Sequence, residues 1–324
     1  MKKIILLFTF LCFADAYAQL FPTLGSQRAG ISTAQFLKIG VGGRATAMGD
    51  AFVAVSNDVS ALYWNPAGIV QTEKDQAIFS HNEWLVDIKH EFFGAIYHFS
   101  SNDAVGVSFT ALHMDDMKVT TEFMPFGTGE YFSFGDIALA VTYARKMTDQ
   151  FSFGGTVRYI EETLDVLKMR GFMIDLGTYY WTGLGSTRFA VTITNFGGEL
   201  RPKGSVKLID GSDKSDWQAF SPPTMFRIGF AMEPFQDEIN RITTSIQLNH
   251  PSDNSENVST GVEYSWREIV LIRAGYKINV DEQDFSVGIG LNIPTSIAEV
   301  TVDYSYSNFE RLGSAHRISL ILGL

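Results

Sequence analysis

Two stretches decide the fold: Asp136-Ile137-Ala138-Leu139-Ala140-Val141-Thr142-Tyr143-Ala144-Arg145-Lys146 and, after a short gap, Phe151-Ser152-Phe153-Gly154-Gly155-Thr156-Val157-Arg158-Tyr159-Ile160-Glu161. In the first, Ile137, Leu139, Val141 and Tyr143 alternate with Ala138, Ala140, Thr142 and Ala144. In the second, Phe151, Phe153, Val157 and Tyr159 alternate with Ser152, Gly154, Thr156 and Arg158. Successive side chains of an extended strand point to opposite faces, so a period of two marks a strand with one apolar and one polar face. The same period recurs in Arg241–Leu248 and in Phe285–Asn292. Reading outward from these gives fourteen segments, at 76–84, 91–99, 104–112, 136–146, 151–161, 171–181, 187–196, 224–232, 241–249, 258–266, 269–278, 284–293, 297–307 and 314–323. The first alternates least cleanly. Most match the roughly 9–11 residues that a tilted strand needs to cross a bilayer.

The connections sort by length as well. Ser100–Asp103, Met147–Gln150, Thr182–Ser186, Arg267–Glu268 and Pro294–Ser296 are short, whereas His113–Gly135 and Gly197–Pro223 are long. Short turns on one side and long loops on the other describe an outer-membrane barrel with its short turns in the periplasm. A soluble sandwich or propeller alternates too, but its outward polar face would carry Lys and Glu. Here that face is mostly Ser, Thr, Gly and Asn with a few Arg. The expected fold is therefore all-β, a transmembrane antiparallel β-barrel of about 14 strands. Trp84, Phe99, Tyr159, Tyr180, Trp181, Trp266, Tyr276 and Tyr306 fall near strand ends, where aromatic rings sit at headgroup level.

Composition agrees. The chain has 324 residues, 45% of them hydrophobic and 19% charged, with 26 Phe, 29 Gly and a net charge of −11. No run approaches the ~20 apolar residues of a membrane helix except Ile4–Phe13 at the start. Lys2 and Lys3 before that run, and Ala16-Tyr17-Ala18 after it, read as a signal peptide over 1–18 with cleavage before Gln19. Cleavage removes the one cysteine, Cys12, and leaves the mature chain one unit more negative. So acidic a chain makes nucleic acid a poor partner.

Residues 19–75 do not alternate, and a compact, small-residue segment ahead of a barrel (76–324) is a candidate lumen plug. Gly40–Ala45 fits a weak G-x-G-x-x-A pattern, but no preceding strand supports dinucleotide binding and tight backbone packing explains it better. Asn57 or Asp58 is expected to cap a short helix through Trp64 that Pro66 stops.

The segment also carries a resemblance. Ala34-Gln35-Phe36-Leu37-Lys38-Ile39-Gly40-Val41-Gly42-Gly43-Arg44-Ala45, then Ala47–Val55 and Ala61-Leu62-Tyr63-Trp64-Asn65-Pro66-Ala67-Gly68, resembles the PorV/PorQ family of outer-membrane proteins. Asn65–Gly68 is more distantly similar to the FadL fatty-acid channels. The likeness continues through Tyr143–Lys146, Phe151–Ile160, Ile174–Gly177 and Thr194–Gly197. It implies a FadL-like fourteen-stranded barrel with an N-terminal hatch, its motif being Phe36, Leu37, Gly40, Gly42, Arg44, Gly49, Asn65, Pro66 and Gly68. It further implies a place in the bacterial outer membrane and a role in type IX secretion, where PorV-like proteins receive cargo and help pass it to surface attachment. The alternative is a FadL-like channel for hydrophobic small molecules. An apolar pocket beside Phe36, Phe52 and Trp64 would favour the channel, and a sealed lumen with an exposed Phe123–Phe132 surface would favour the secretion role.

No catalytic constellation is expected. His81, His90, His98, His113, His250 and His316 are scattered without ligand spacing, and no G-x-S-x-G elbow occurs. An enzyme would need Ser and His to converge in space. Asp210–Asp216 resembles a calcium loop but places Lys214 among the ligands and lacks the closing Glu, so it reads as a solvated loop, weak calcium binding being left open. No cofactor is expected.

Charges on the polar strand faces, namely Arg158, Asp175, Arg188, Arg227, Arg241, Glu263, Arg273, Glu299, Asp303 and Arg317, must point inward, because a lipid-facing Arg costs roughly 2–4 kcal/mol at the midplane. A network holding a plug is the preferred reading over a selectivity lining. The loop 114–134 carries Met117, Phe123, Met124, Phe126, Tyr131 and Phe132, and such apolar residues in a loop mark either an outward extension of the wall or a contact surface for secretion components or cargo.

Overall fold

The structure is a computed structural model that describes residues 30–72, 74–208, 211–295 and 298–324. The signal-peptide reading of 1–18, and the part of 19–75 before residue 30, lie outside the described residues.

Fourteen antiparallel strands form one closed barrel. They are β1 (Gln76–Glu83), β2 (Lys89–His98), β3 (Asp103–His113), β4 (Phe134–Lys146), β5 (Phe151–Leu164), β6 (Leu167–Trp181) and β7 (Arg188–Gly197). The second half comprises β8 (Met225–Gln236), β9 (Asn240–Pro251), β10 (Asn257–Trp266), β11 (Val270–Ile278), β12 (Phe285–Pro294), β13 (Glu299–Asn308) and β14 (Ser314–Gly323). Each strand pairs with its neighbours in sequence, and β1 closes on β14 from Gln76 against Gly323 to Glu83 against His316. Closure leaves no strand edge unpaired, which a bilayer requires because its interior offers no water to backbone groups.

The alternation sets the two faces. On β4, Leu139 and Val141 are 50% and 61% exposed while Ala140 is 6% and Thr142 fully buried. Around the barrel the outward positions are Val107, Phe109, Phe172, Ile174, Phe230, Ile272, Ile289 and Ile318, all exposed. A continuous apolar wall of that extent is unfavourable in water and matches lipid. Most inward positions are Ser, Thr, Gly, Ala or charged, with larger side chains such as Phe92, Ile160, Tyr179 and Gln247 among them.

Several boundaries differ from the expectation. β5 and β6 run on to Leu164 and from Leu167, joined only by Asp165-Val166. Glu161, Glu162, Lys168 and Arg170 break the apolar pattern there, yet the hydrogen-bond ladder continues past it. One connection on the long-loop side is thus a tight turn. β8 extends to Gln236 through a bulge between Met232 and Phe235, where Pro234 cannot donate to the ladder. The aromatic expectation needs a correction as well. Trp84 and Trp181 turn inward, Trp84 against Phe309 at a centroid distance of 4.9 Å and Trp181 against Tyr179 at 5.8 Å. Tyr180 and Trp181 are consecutive, so both cannot face lipid.

Residues 34–72 comprise a 3-10 turn (Gln35–Lys38), α1 (Gly43–Ala47), α2 (Ala61–Trp64) and a 3-10 helix (Pro66–Gln71). This segment is hydrogen-bonded to the inner face nearly all round the barrel. Gly43 N donates to Ser319 Oγ on β14 at 2.9 Å, and Phe52 N and Val53 N donate to Gln247 Oε1 on β9 at 3.0 and 2.9 Å. Arg188 Nε on β7 donates to Ala54 O at 2.9 Å, and Asn65 Nδ2 donates to Thr178 O on β6 at 3.1 Å. Gln71 Nε2 reaches Ser152 Oγ on β5 at 2.8 Å. Only a segment lying inside a closed barrel can meet so many of its strands. The helix-cap expectation is corrected in detail. α2 starts at Ala61, and Asp58 acts three residues earlier, where its Oδ1 accepts from Ser60 N at 2.9 Å. Asn57 Oδ1 is taken by Arg44. Pro66 does end α2 but opens a second helical turn, capped by Asn65 Oδ1 accepting from Ala67 N.

Candidate functional site

Two regions are candidates, the interior where the segment meets the wall and the hairpin above the outer rim. Inside, α1 presents Arg44 to the wall. Its Nε and Nη2 donate to Glu263 Oε2 and Oε1 on β10, both at 2.9 Å, and its Nη1 donates to Asp58 Oδ2 at 2.9 Å. Arg273 Nε on β11 shares Glu263 Oε2 at 2.6 Å, while its Nη1 reaches Asp303 Oδ1 on β13 at 2.6 Å. One connected network therefore ties the inner segment to three strands. Elsewhere Arg158 pairs with Asp175 at 2.6 Å and with Asn195 Oδ1 at 2.6 Å. Arg188 pairs with Glu233 at 2.7 Å. Paired, hydrogen-bonded charge is the form in which charge is tolerated in an interior.

The expected lumen charges Arg158, Asp175, Arg188, Arg227, Glu263 and Asp303 are all buried and inward. Arg273 and Arg317 join them, whereas Arg241 and Glu299 sit at the periplasmic mouth, Arg241 paired with Glu268 and Glu299 with Lys74. Arg227 and Arg317 differ from the rest. Among the described residues neither meets a carboxylate within 4.0 Å. Arg227 Nη1 donates to Thr194 Oγ1 at 3.0 Å and its guanidinium lies 5.8 Å from the Trp64 ring. Arg317 donates to Gly40 O and Ser307 Oγ, both at 3.2 Å, and lies 5.3 Å from the Trp84 ring.

The remaining motif residues pack inside. Phe36, Leu37, Phe52 and Trp64 are at most 3% exposed. Phe52 meets Trp64 edge-on at 6.2 Å, and the Trp64 indole donates to Val41 O at 2.9 Å. Gly42 starts α1 with a φ of 81°, and Gly68 lies against Ser56. Gly49, at φ 64°, lies directly on the backbone of β11, where an added Cβ would come 2.9 Å from Tyr276 N. Cavities of 290 and 230 Å³ open at the periplasmic mouth and share Arg44, Asn57 and Arg241 in their linings. Their walls are predominantly polar and charged.

Sequence reasoning missed the two ends of the segment. At the outer end Asp253, in the β9–β10 loop, accepts from Gln35 Nε2 at 2.7 Å and from Lys38 Nζ at 3.0 Å. Burial pushes the Asp253 carboxyl up, but the Gln35 hydrogen bond and the Lys38 ammonium outweigh it and hold the group below the usual aspartate range. At the inner end Asp75 accepts from His98 N at 2.7 Å and lies 3.0 Å from His98 Nδ1, and the backbone bond above all holds this carboxyl low. His98 Nε2 lies 3.0 Å from Thr72 Oγ1. Neither contact has a motif, because both join residues far apart or in unlike elements.

Outside, the loop between β3 and β4 continues as a hairpin. Met117-Lys118 pairs with Tyr131-Phe132, and Val119 N donates to Glu130 O at 2.9 Å. Thr121 and Met124 exchange backbone bonds at the tip. Phe123 and Phe126 are 90% and 93% exposed; Met117, Met124 and Tyr131 are exposed too, and Phe132 is half-buried. Asp115, Asp116, Glu122 and Glu130 flank these residues. The longer loop between β7 and β8 carries the Asp210–Asp216 motif. Asp210 lies outside the described residues, Asp213-Lys214 pairs with Val206-Lys207, and the Lys214 ammonium lies over the Trp217 ring.

The family model described as Type IX secretion system protein PorV matches residues 24–252, which include the inner segment and β1 to β9. No curated protein matches the sequence. Among solved structures the chain is similar to the CymD monoaromatic hydrocarbon channel at 13% identity and a TM-score of 0.59, over 88% of this chain and 96% of that one. It is similar to the Ralstonia pickettii toluene transporter TbuX at 11% and 0.57, over 87% and 97%. A Pseudomonas aeruginosa FadL homologue aligns at 14% and 0.57, over 93% and 98%. At these identities the likeness is one of fold.

Proposed function

The chain belongs to the family of the type IX secretion system protein PorV, and we propose that this outer-membrane barrel handles secreted protein through its outer hairpin while the inner segment plugs the lumen. Its relation to type IX secretion rests on the family. The finer reading is carried by one contrast: the aromatic side chains of the inner segment are packed away, whereas Phe123 and Phe126 are exposed on a hydrogen-bonded hairpin. Aromatic and methionine side chains are enriched in the buried cores of protein interfaces. The acidic residues beside them favour a partner surface that is apolar with a basic rim. The role is one of binding rather than catalysis.

The test is crosslinking in cells with tagged full-length protein, comparing wild type with Phe123→Ser/Phe126→Ser. Recovery of secretion-system components or exported cargo with wild type, and its loss in the variant at equal barrel abundance, is the expected result. Co-purified lipid with no protein partner sinks the reading. The channel alternative draws on the hydrocarbon channels that share the fold. It predicts saturable uptake of toluene by proteoliposomes past a movable inner segment, and no uptake above protein-free vesicles would sink it.

A further inference from the structure

The outward face of β6 changes character along its length. Leu176, Ile174 and Phe172 face lipid, and Phe172 packs on Tyr159 of β5 at a centroid distance of 5.4 Å. The next outward positions toward the outer rim are Arg170 and Lys168. At about 3.3 Å per residue they lie about 7 and 13 Å along the strand beyond that aromatic pair, which is headgroup depth. Lys203, from the β7–β8 loop, pairs antiparallel with Lys168 through backbone bonds of 2.9 and 2.8 Å. Residues directly opposite in such a pair share a face, and like charges placed so repel. Glu161 accepts from Arg170 at 2.8 and 3.2 Å and from Lys168 at 3.4 Å, while Lys203 has no carboxylate within 4.0 Å among the described residues. Lys168 and Arg170 thus share one carboxylate while Lys203 stands beside them without one, in a recess of 290 Å³ lined by Val166, Lys168, Arg170, Lys203 and Gly204. In a chain of net charge −11, this concentration of positive charge sits on the lipid-facing side.

We infer that this recess binds the phosphorylated headgroup of an outer-leaflet glycolipid, whose acyl chains lie along Phe172, Ile174 and Leu176. A phosphate accepting from Lys168 and Lys203 removes their mutual repulsion, and Glu161 holds the Arg170 fork in place beside it. The acyl wall directly below selects a lipid over a free anion. The inference does not depend on the secretion role.

The test is native mass spectrometry of the full mature chain, folded in detergent and checked by heat-modifiable migration. The probes are bisphosphorylated lipid A, the same lipid after enzymatic removal of its phosphates, and inorganic phosphate. Bisphosphorylated lipid A is expected to be retained by wild type and by the rim control Lys207→Ser. It is expected to bind about 30-fold more weakly to Lys168→Ser/Arg170→Ser/Lys203→Ser. If that triple variant does not fold, Lys203→Ser alone, which leaves every strand intact, is expected to show a smaller loss of the same sign. Equal retention of both lipids, displacement of lipid A by equimolar inorganic phosphate, or undiminished binding by the variants overturns the assignment.

Discussion

Arg44 and Glu263 meet fork to fork, two N–H donors on two carboxylate oxygens at 2.9 Å each, across the boundary between inner segment and barrel wall. That geometry needs a guanidinium, since an ammonium offers only a point charge. Removing one partner of a buried pair typically costs 3–5 kcal/mol. Arg273 still holds Glu263 after Arg44→Met, so a loss of about 3 kcal/mol at the low end of that range is expected. The barrel strands are held by their own closed backbone ladder. Hydrogen–deuterium exchange should therefore speed up about 100-fold in residues 43–72 and stay unchanged in β1–β14. Uniform acceleration across the strands would mean that the pair supports the barrel itself. Arg44→Lys should recover little.

Gly275 makes a second, steric test. A Cβ added there would stand 2.0 Å from Gly49 N and 2.1 Å from Met48 C, which are backbone atoms that cannot rotate away. Gly275→Ala should leave β10, β11 and β12 paired, because alanine fits a strand, but displace Met48–Asp50. The expected result is a barrel with normal heat-modifiable migration that trypsin now cuts at Arg44. Resistance equal to wild type would show that the inner segment tolerates a shift of this size.

The Asp253 latch gives the pH dependence. Its folded carboxyl sits below the unfolded aspartate value of about 3.9. Its contribution is therefore complete above that value and is lost as pH falls through the lower folded one. Pepsin cleavage between Phe36 and Leu37, normalised to an unfolded substrate, should be slow near pH 5 and rise below about pH 4. Asp253→Asn should remove the pH dependence and leave cleavage fast at both values. Near pH 5 in Asp253→Asn, Glu162 still accepts from Thr33 Oγ1 and Ala34 N, so release there is confined to the outer end of the segment. An Asp253→Asn protein with the wild-type pH profile would assign the latch elsewhere.

How far the alternation could be read follows from what it reports. Hydrophobic alternation records the depth of lipid, so β4, β7 and β11 are legible almost to their ends. It fails where β5 and β6 leave the membrane, because charged Glu161, Glu162, Lys168 and Arg170 occupy both faces there while backbone pairing continues to Leu164 and Leu167. Parity alone separates Tyr180 from Trp181, a distinction that grouping aromatics by strand end overlooks. The inward direction of Arg158 and Asp303 is legible for the same reason. Their partners are not, since nothing in one sequence joins Arg44 to Glu263 or Lys38 to Asp253. The six-residue apolar set of the outer loop is legible by composition, but only the hairpin registry shows Phe123 and Phe126 exposed and Phe132 half-buried.

Arg227 and Arg317 invert the logic of Arg44. Each is buried, each has neutral hydrogen-bond partners and an aromatic ring, and neither is paired with a carboxylate among the described residues. A buried charge with no directly paired carboxylate costs several kcal/mol that a neutral hydrogen bond and a cation–π contact, together about 2–4 kcal/mol, only partly offset. Methionine matches most of the arginine stem and can pack on the same Trp64 face. Arg227→Met should therefore leave thermal unfolding in detergent unchanged or raise its midpoint. The orphaned Thr194 hydroxyl sets the lower bound on the gain, at about 1 kcal/mol less than full relief of the charge. A midpoint that falls by several degrees would show that Arg227 has a counter-charge, supplied by a bound anion or by a rearranged Asp50, whose Oδ1 is buried without a hydrogen-bond partner.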